Sequence, residues 1–425
     1  VTQAILHIGD MKCGSKSIQG WLDINEPLLR GHGLHRSVTA RHSIYDSGLA
    51  CYALDDRKLA SNPRREHAIR SAASVRAYRR AFEDRLTAEV AALPPAARAM
   101  VFSHEMLLSL KPSEVERLVA LLRRCFDDVQ LVAYIRRQDR LTLSLWGQRL
   151  KTHDPGPHFC DHLLATRSYL RMLETWERAT GRSHLAVRVF DRRAFVGGDL
   201  LADFRAAVGI PDDPRYRSPA FRNESLDAVS QSLLLELRER VREQQQGGRG
   251  RLLNVLRRTL RLGGSPPPGP LAFPAPLSDF LWQHSTGSGL RPSRDWAERI
   301  VAACAAENEQ IRQRYCPDRP ELFDRDFSEY PPVGAAPGEE FPPCDPEALR
   351  REPLAPPTPE QVDEAFRIVF NRRTSAGERA AARQAAVNIA HLYATLVAQR
   401  RAASENSQRT TGSPLGGRPE PRIWT

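Results

Sequence analysis

Lysine is scarce in this chain. Of 62 basic side chains in 425 residues, five are lysines: Lys12, Lys16, Lys58, Lys111 and Lys151. Two of the five stand in one short loop near the start. Where Arg is written almost everywhere, Lys in that loop reads as chosen for its compact, mobile ammonium. Cysteine pairing is also missing. The seven cysteines, Cys13, Cys51, Cys125, Cys160, Cys304, Cys316 and Cys344, are scattered, odd in number and form no C-x-x-C pair. That argues against a disulfide framework and a zinc site, and makes a reducing, cytoplasmic location the expectation. No apolar run reaches the roughly eighteen residues of a transmembrane span. No charged-then-apolar leader with a small-residue cleavage site is visible, although Val1 lies only a few residues before an expected strand, so a trimmed leader stays open. There is no internal repeat.

What is present is a basic chain of net charge +11. Such a charge suits nucleic acid, an anionic lipid surface, an acidic polysaccharide or a phosphate-rich cofactor, without choosing among them. The length allows one large domain with appendages, or two domains.

Short apolar runs alternate with amphipathic stretches through the first half. Strands are expected at 4–8, 99–103, 129–135 and 185–190. Helices are expected over 15–29, 74–93, 112–126, 139–151, 166–180 and 199–208, with Gly181 and Gly209 as stops. Residues 31–65 are polar and read as irregular. The alternation predicts an α/β fold with a parallel sheet flanked by helices. In such sheets ligands bind beyond the carboxyl ends of the strands, where the first loop and the residues after Ser103 and Ile135 can meet.

Further helices are expected over 225–244 and 293–315. Residues 1–330 then form one catalytic domain with a Gly/Pro-flanked insertion at 245–276. Within it, 251–262 is a basic amphipathic segment that suits either an Arg-rich solvated insertion or a weak membrane-surface contact. Dense prolines over 331–358 read as a linker, 359–403 as a helical appendage and 404–425 as a disordered tail.

The stretch "HIGDMKCGSKSIQ" (7–19) is close to a nucleotide-binding P-loop. Gly9 and Gly14 have the right spacing, but Ser15 stands where an ATP loop needs Lys, and Lys16 comes one place late. Lys12 precedes the second Gly instead. A strand, this loop and a helix would aim the N–H groups of Gly14, Ser15, Lys16 and Ser17 at a phosphate, with the Ser15 and Ser17 hydroxyls as further donors.

These residues resemble the 5′-phosphosulfate loop of sulfotransferases, H-I-G-x-x-K-T-G-T-T-S-I-Q, and most closely that of the bacterial, carbohydrate-type branch. "YIRRQDRLTLSLWGQRLK" (134–151) is similar to the family's 3′-phosphate motif, an Arg at a strand end followed eight residues later by Ser, here Arg136 and Ser144. "VFSHEMLLSL" (101–110) resembles the segment that supplies the catalytic base. The resemblance covers about 3–240 and reaches 277–330. It departs from the pattern at Cys13 and Lys16, where the family has Thr.

The resemblance implies a sulfotransferase fold and transfer of a sulfuryl group from 3′-phosphoadenosine 5′-phosphosulfate to a hydroxyl or amine of a small-molecule or polysaccharide acceptor. Lys12 is the expected cation at the departing phosphate oxygen. Glu105 is the first choice of base and His104 the second; Glu105 also has a plain reading as a helix cap. Gly14, Ser15, Lys16, Ser17, Arg136, Ser144 and Asn223 are the expected cofactor contacts, Asn223 doubling as an ordinary cap. The chemistry requires no metal, because Lys12, Arg136 and the loop N–H groups can carry the charge.

Two other functions stay open. An ATP-dependent small-molecule kinase with a shifted loop would need Mg²⁺; Asp191 is its candidate aspartate, and an Asp opening a turn the simpler reading. A non-catalytic relative binding an anionic polymer is kept open by Lys16. No helix-turn-helix or aromatic-basic motif points to nucleic acid.

Overall fold

The computed structural model describes residues 2–152, 159–219, 226, 231, 234 and 289–332. Asn223, the helix expected over 225–244, the 245–276 insertion with its basic segment 251–262, nearly all of the proline-rich stretch, the appendage and the tail lie outside the described residues.

Five strands form one parallel sheet: β1 (Gln3–His7), β2 (Leu34–Arg36), β3 (Ala99–Ser103), β4 (Asp128–Ile135) and β5 (Leu185–Val189), in the order β2-β3-β1-β4-β5. The four expected strands are present. β2 is an addition, since three residues are too few to show alternation.

β1 is central, with the chain passing first to one side of it and then to the other. The carboxyl end of β1, between β3 and β4, is therefore a topological switch point. Register fixes what meets there. His7 pairs with Ser103 of β3 and with Val132 of β4.

Ten helices are described from the first three-quarters of that region: α1 (Ser15–Ile24), α2 (Glu26–Gly31), α3 (Ser47–Ala53), α4 (Asn62–Glu66), α5 (Ala72–Ala91), α6 (Pro112–Cys125), α7 (Gln138–Thr152), α8 (Phe159–Thr166), α9 (Tyr169–Thr180) and α10 (Leu200–Val208). Two more follow, α11 (Arg294–Ala303) and α12 (Ala305–Tyr315).

Three expectations are corrected. The single helix over 15–29 is two, parted at Asn25. Its amide donates to Trp21 O at 2.9 Å and Arg217 O at 2.8 Å, and its Oδ1 accepts from Arg217 N at 2.9 Å. Residues 31–65 are not irregular, because they hold β2, α3 and most of α4. The helix over 293–315 is broken at Cys304.

Alternation along the strands builds two cores. Ile5, Ala99, Val101, Val132 and Tyr134 face Trp21 and Leu22 of α1 and Leu201 and Phe204 of α10. On the other face α6 and α9 pack against β4, and the Trp176 indole of α9 donates to Leu107 O at 3.0 Å.

The chain divides into two compact units, 1–142 with 163–221 and 298–327, and 143–162 with 222–297 and 328–425. The first carries the sheet. In the second, Leu290 N donates to Gln231 Oε1 at 2.7 Å and Arg294 N to Pro331 O at 2.8 Å. Among the described residues no helix is long and apolar enough to cross a membrane.

Candidate functional site

The loop from Ile8 to Gly14 leaves β1 at the switch point. It turns sharply twice, with Lys12 at φ 63° and Gly14 at φ 74°. A non-glycine residue in the left-handed region is uncommon and marks a locally constrained backbone. Gly14 is required there for a second reason: a Cβ would sit 2.4 Å from Leu200 Cδ2 and 2.8 Å from Phe190 Cε2.

Gly14 opens α1, whose first turn holds no acidic side chain. Ser15 is buried, its hydroxyl directed at Asp10 O at 3.4 Å. Lys16 is exposed and Ser17 half-buried. Cys13 explains its own departure from Thr. It is fully buried among Ile5, Ile18, Trp21 and Tyr134, where a thiol packs as a small hydrophobe. Burial pushes that thiol up to about 12, against Arg136 and Lys12.

Asp10 is the loop's one carboxylate, and it is turned inward and neutralised. It is wholly buried, accepts from Met11 N at 2.7 Å and from the Tyr169 hydroxyl at 2.9 Å, and pairs with Arg167. Arg136, just past β4, donates from Nη1 to Lys12 O at 3.0 Å and lies 5.4 Å from the centre of the Phe190 ring. The neighbouring Arg137 is buried and used structurally, clamping Asp139 at 2.7 Å and Asp324 at 2.8 Å. The two adjacent arginines therefore have different tasks, and Arg136 is the one at the loop. Ser144 lies on α7, in the second unit.

His104 and Glu105 follow β3 in a turn, so burial rather than strand alternation separates them. His104 is 4% exposed and Glu105 is half-buried. His104 Nδ1 accepts from Met106 N at 3.2 Å. That ring nitrogen must then carry the lone pair, and Nε2 the proton. Burial lowers the imidazole, against Glu105 and Glu66, so it stays neutral. Burial also works against the Glu105 carboxylate. The imidazole beside it, its own backbone N–H and Gln19 outweigh that, and it titrates below the ordinary range. Gln19 Nε2 donates to Glu105 Oε2 at 3.2 Å.

Several site residues were not singled out in the sequence. His7 is fully buried and packs edge-on against Tyr134 and Phe204. Its Nδ1 is 2.7 Å from Ser103 Oγ, while Nε2 has no partner and would lie 2.5 Å from a Cβ on Gly9. Burial takes the imidazole down to about 4, against Glu105. His7, Asp10 and Gln19 all stand inside the quoted loop motif. Arg167 and Tyr169 carry no sequence signal, because only the fold brings them 157 and 159 residues back to Asp10.

Asp191 is tied to Arg140 at 2.5 Å and its Oδ1 accepts from Arg193 N. It is engaged in an ion-pair network, as the turn reading has it. Among the described residues no three His, Cys, Asp or Glu side chains converge as metal ligands.

No family model matches the chain. It is similar to an uncharacterised protein of Archaeoglobus fulgidus, with 28% identity over 169 residues, 39% of this chain and 45% of the relative. The chain thus matches less than half of that relative's length.

Proposed function

We propose that the protein is a sulfotransferase. It would transfer the sulfuryl group of 3′-phosphoadenosine 5′-phosphosulfate to a hydroxyl, or an amine, of a carbohydrate or related acceptor. One observation carries the reading: the loop and the first turn of α1 present Lys12, Lys16 and, against Lys12, Arg136, while the loop's carboxylate is buried and neutralised. A helix N-terminus with Lys12 and Lys16 close to it in the chain, and no acid in its first turn, suits a multiply charged anion.

Lys12 and the N–H groups of Gly14, Ser15, Lys16 and Ser17 would hold the 5′ side. Arg136 would hold the 3′-phosphate. The donor supplies the sulfuryl group, whose sulfur bonds to the acceptor oxygen as its bond to the 5′-phosphate oxygen breaks. Lys12 offsets the charge left on that phosphate oxygen.

Glu105 accepts the acceptor proton. The Met106 N–H engages the His104 lone pair at 3.2 Å, which favours Glu105 over His104. A carboxylate held below the ordinary range by His104, its own backbone N–H and Gln19 is in the accepting form at neutral pH. The kinase reading has less support, with Ser15 in the lysine position and Asp191 engaged. A cytoplasmic setting suits the described cysteines, among which there is no disulfide.

The test is sulfate transfer from labelled donor. Lys12→Ala and Arg136→Ala should each lower kcat/KM by about a hundredfold or more. Unchanged turnover in either variant contradicts the assignment.

A further inference from the structure

Beside Glu105 the polar stretch 42–67 folds into a wall that the reaction as described does not use. Tyr45 packs edge-on against His104 at 5.7 Å between ring centres, and His42 lies 6.2 Å from Tyr45 and 5.7 Å from His67. The Tyr45 hydroxyl is 3.4 Å from Glu66 Oε1, and Ser47 Oγ is 3.1 Å from His67 Nε2. Three separated segments, around 45, 66 and 104, thus converge on the base.

The polar inventory of this wall is unusual. Glu66 Oε2 is buried and has no hydrogen-bond partner among the described residues. Neither Glu66 nor Glu105 has an ion-pair partner among the described residues. The nearby cations are committed elsewhere: Arg64 to Leu54 O at 2.7 Å, Arg65 to Ala60 O at 2.6 Å and Arg41 to Glu26 at 2.7 Å. Arg85, on α5, acts on His67 from outside the wall. The imidazoles of His67 and His104 are lowered by burial and add no positive charge at neutral pH.

The site is therefore bipolar. Cations gather at the start of α1, and two carboxylates stand on the side of Glu105. Gln19, one helical turn after Ser15, joins the two ends.

We propose that the wall formed by His42, Tyr45, Glu66, His67 and His104 is the acceptor subsite, and that it takes an uncharged polyhydroxyl acceptor rather than an acidic saccharide. The inference rests on the sulfuryl-transfer reading above. An acceptor with two neighbouring hydroxyls can give one to Glu105 and one to the Glu66 carboxylate, whose Oε2 has no partner among the described residues. A simple phenol would serve Glu105 and leave Glu66 unserved. The exposed His42 ring and the half-buried Tyr45 ring offer surfaces to the C–H face of a sugar ring. A carboxylate or sulfate on the acceptor would meet Glu66 and Glu105 as like charges. The chain's net positive charge thus belongs to its donor end and its surface, and does not predict an acidic acceptor.

The experiment measures initial rates of sulfate transfer by the full chain to neutral disaccharides (maltose, cellobiose, chitobiose) and to counterparts in which one sugar is a uronic acid. Wild type and Glu66→Gln are compared, and calorimetric binding of adenosine 3′,5′-bisphosphate is followed in each. The neutral sugars should be used with kcat/KM at least about tenfold above the uronic acids, and Glu66→Gln should raise their KM about tenfold with bisphosphate affinity unchanged. Equal or better use of the uronic acids, indifference to Glu66→Gln, or no transfer to any sugar while the bisphosphate binds would each overturn the subsite. Failure of the wild type to bind the bisphosphate would instead overturn the sulfuryl-transfer reading on which it rests.

Discussion

Glu105 and His104 are adjacent and carry opposite assignments. The Met106 N–H engages the His104 lone pair, and His104, a backbone N–H and Gln19 hold the Glu105 carboxyl below the ordinary range. Glu105→Gln should lower kcat by roughly 10²–10⁴-fold. His104→Asn keeps an acceptor for Met106 and should cost less than about tenfold. Because Glu105 is depressed, the accepting form persists through neutrality and is lost only as pH falls below the ordinary carboxylate range. A pH–rate profile that stays flat from neutrality down to that range fits Glu105; one that breaks above it would contradict Glu105 as the base.

Lys16 belongs at the same scale. It is exposed in the first turn of α1, so it does not crowd the buried Cys13 and Ser15 beneath it. Lys16→Thr removes a cation from the start of α1 and should weaken bisphosphate binding severalfold. Calorimetric titration of the two proteins checks this, and a variant that gains transfer activity absent from the parent would favour the non-catalytic alternative.

Among the elements, the joint between α1 and α2 has the most to lose from one side chain. Asn25 is wholly buried and ties Trp21 O to both backbone groups of Arg217. Asn25→Ala leaves buried polar groups unpaired and should cost about 2–4 kcal/mol, read as a lowered urea midpoint at unchanged slope.

The same joint shows what was legible in the sequence. The hydrophobic periodicity of 15–29 is continuous and reads as one helix. The break comes from Asn25 bonding to a residue 192 positions away, which no local pattern reports. Strands β1, β3, β4 and β5 were legible because buried parallel strands are short apolar runs between polar turns. β2 was hidden by its length, α3 by being too short to show helical periodicity, and α4 by a polar composition. The Gly-rich loop and Arg136 were legible from spacing. The Asp10, Arg167 and Tyr169 lock was not, because its partners meet only through the sheet.

For the whole molecule, two buried groups pull its acid stability in opposite directions. Asp46 accepts from Ser103 N at 2.6 Å and faces Arg36 at 3.6 Å, yet burial raises it to about 6. A raised carboxyl contributes stability at low pH that is lost as pH climbs through its folded value. His7 is lowered by burial to about 4. Its contribution is present above the ordinary imidazole value and is lost as pH falls toward 4. Each shift is of order 3 kcal/mol and they offset between pH 4 and 6. Asp46→Asn removes the first and leaves the second. Unfolding free energy of that variant should rise more steeply with pH between 4 and 6 than in the wild type; an unchanged slope would contradict the assignment of Asp46.

The central claim is that the loop at the end of β1 is built for a nucleotide bearing both 3′ and 5′ phosphates. The direct measurement is calorimetric titration of the full chain with adenosine 3′,5′-bisphosphate, set against ATP with Mg²⁺. Tight binding of the bisphosphate that needs no metal and is lost in Arg136→Ala is the predicted result. Preference for ATP with Mg²⁺, or no binding of either nucleotide, would contradict it.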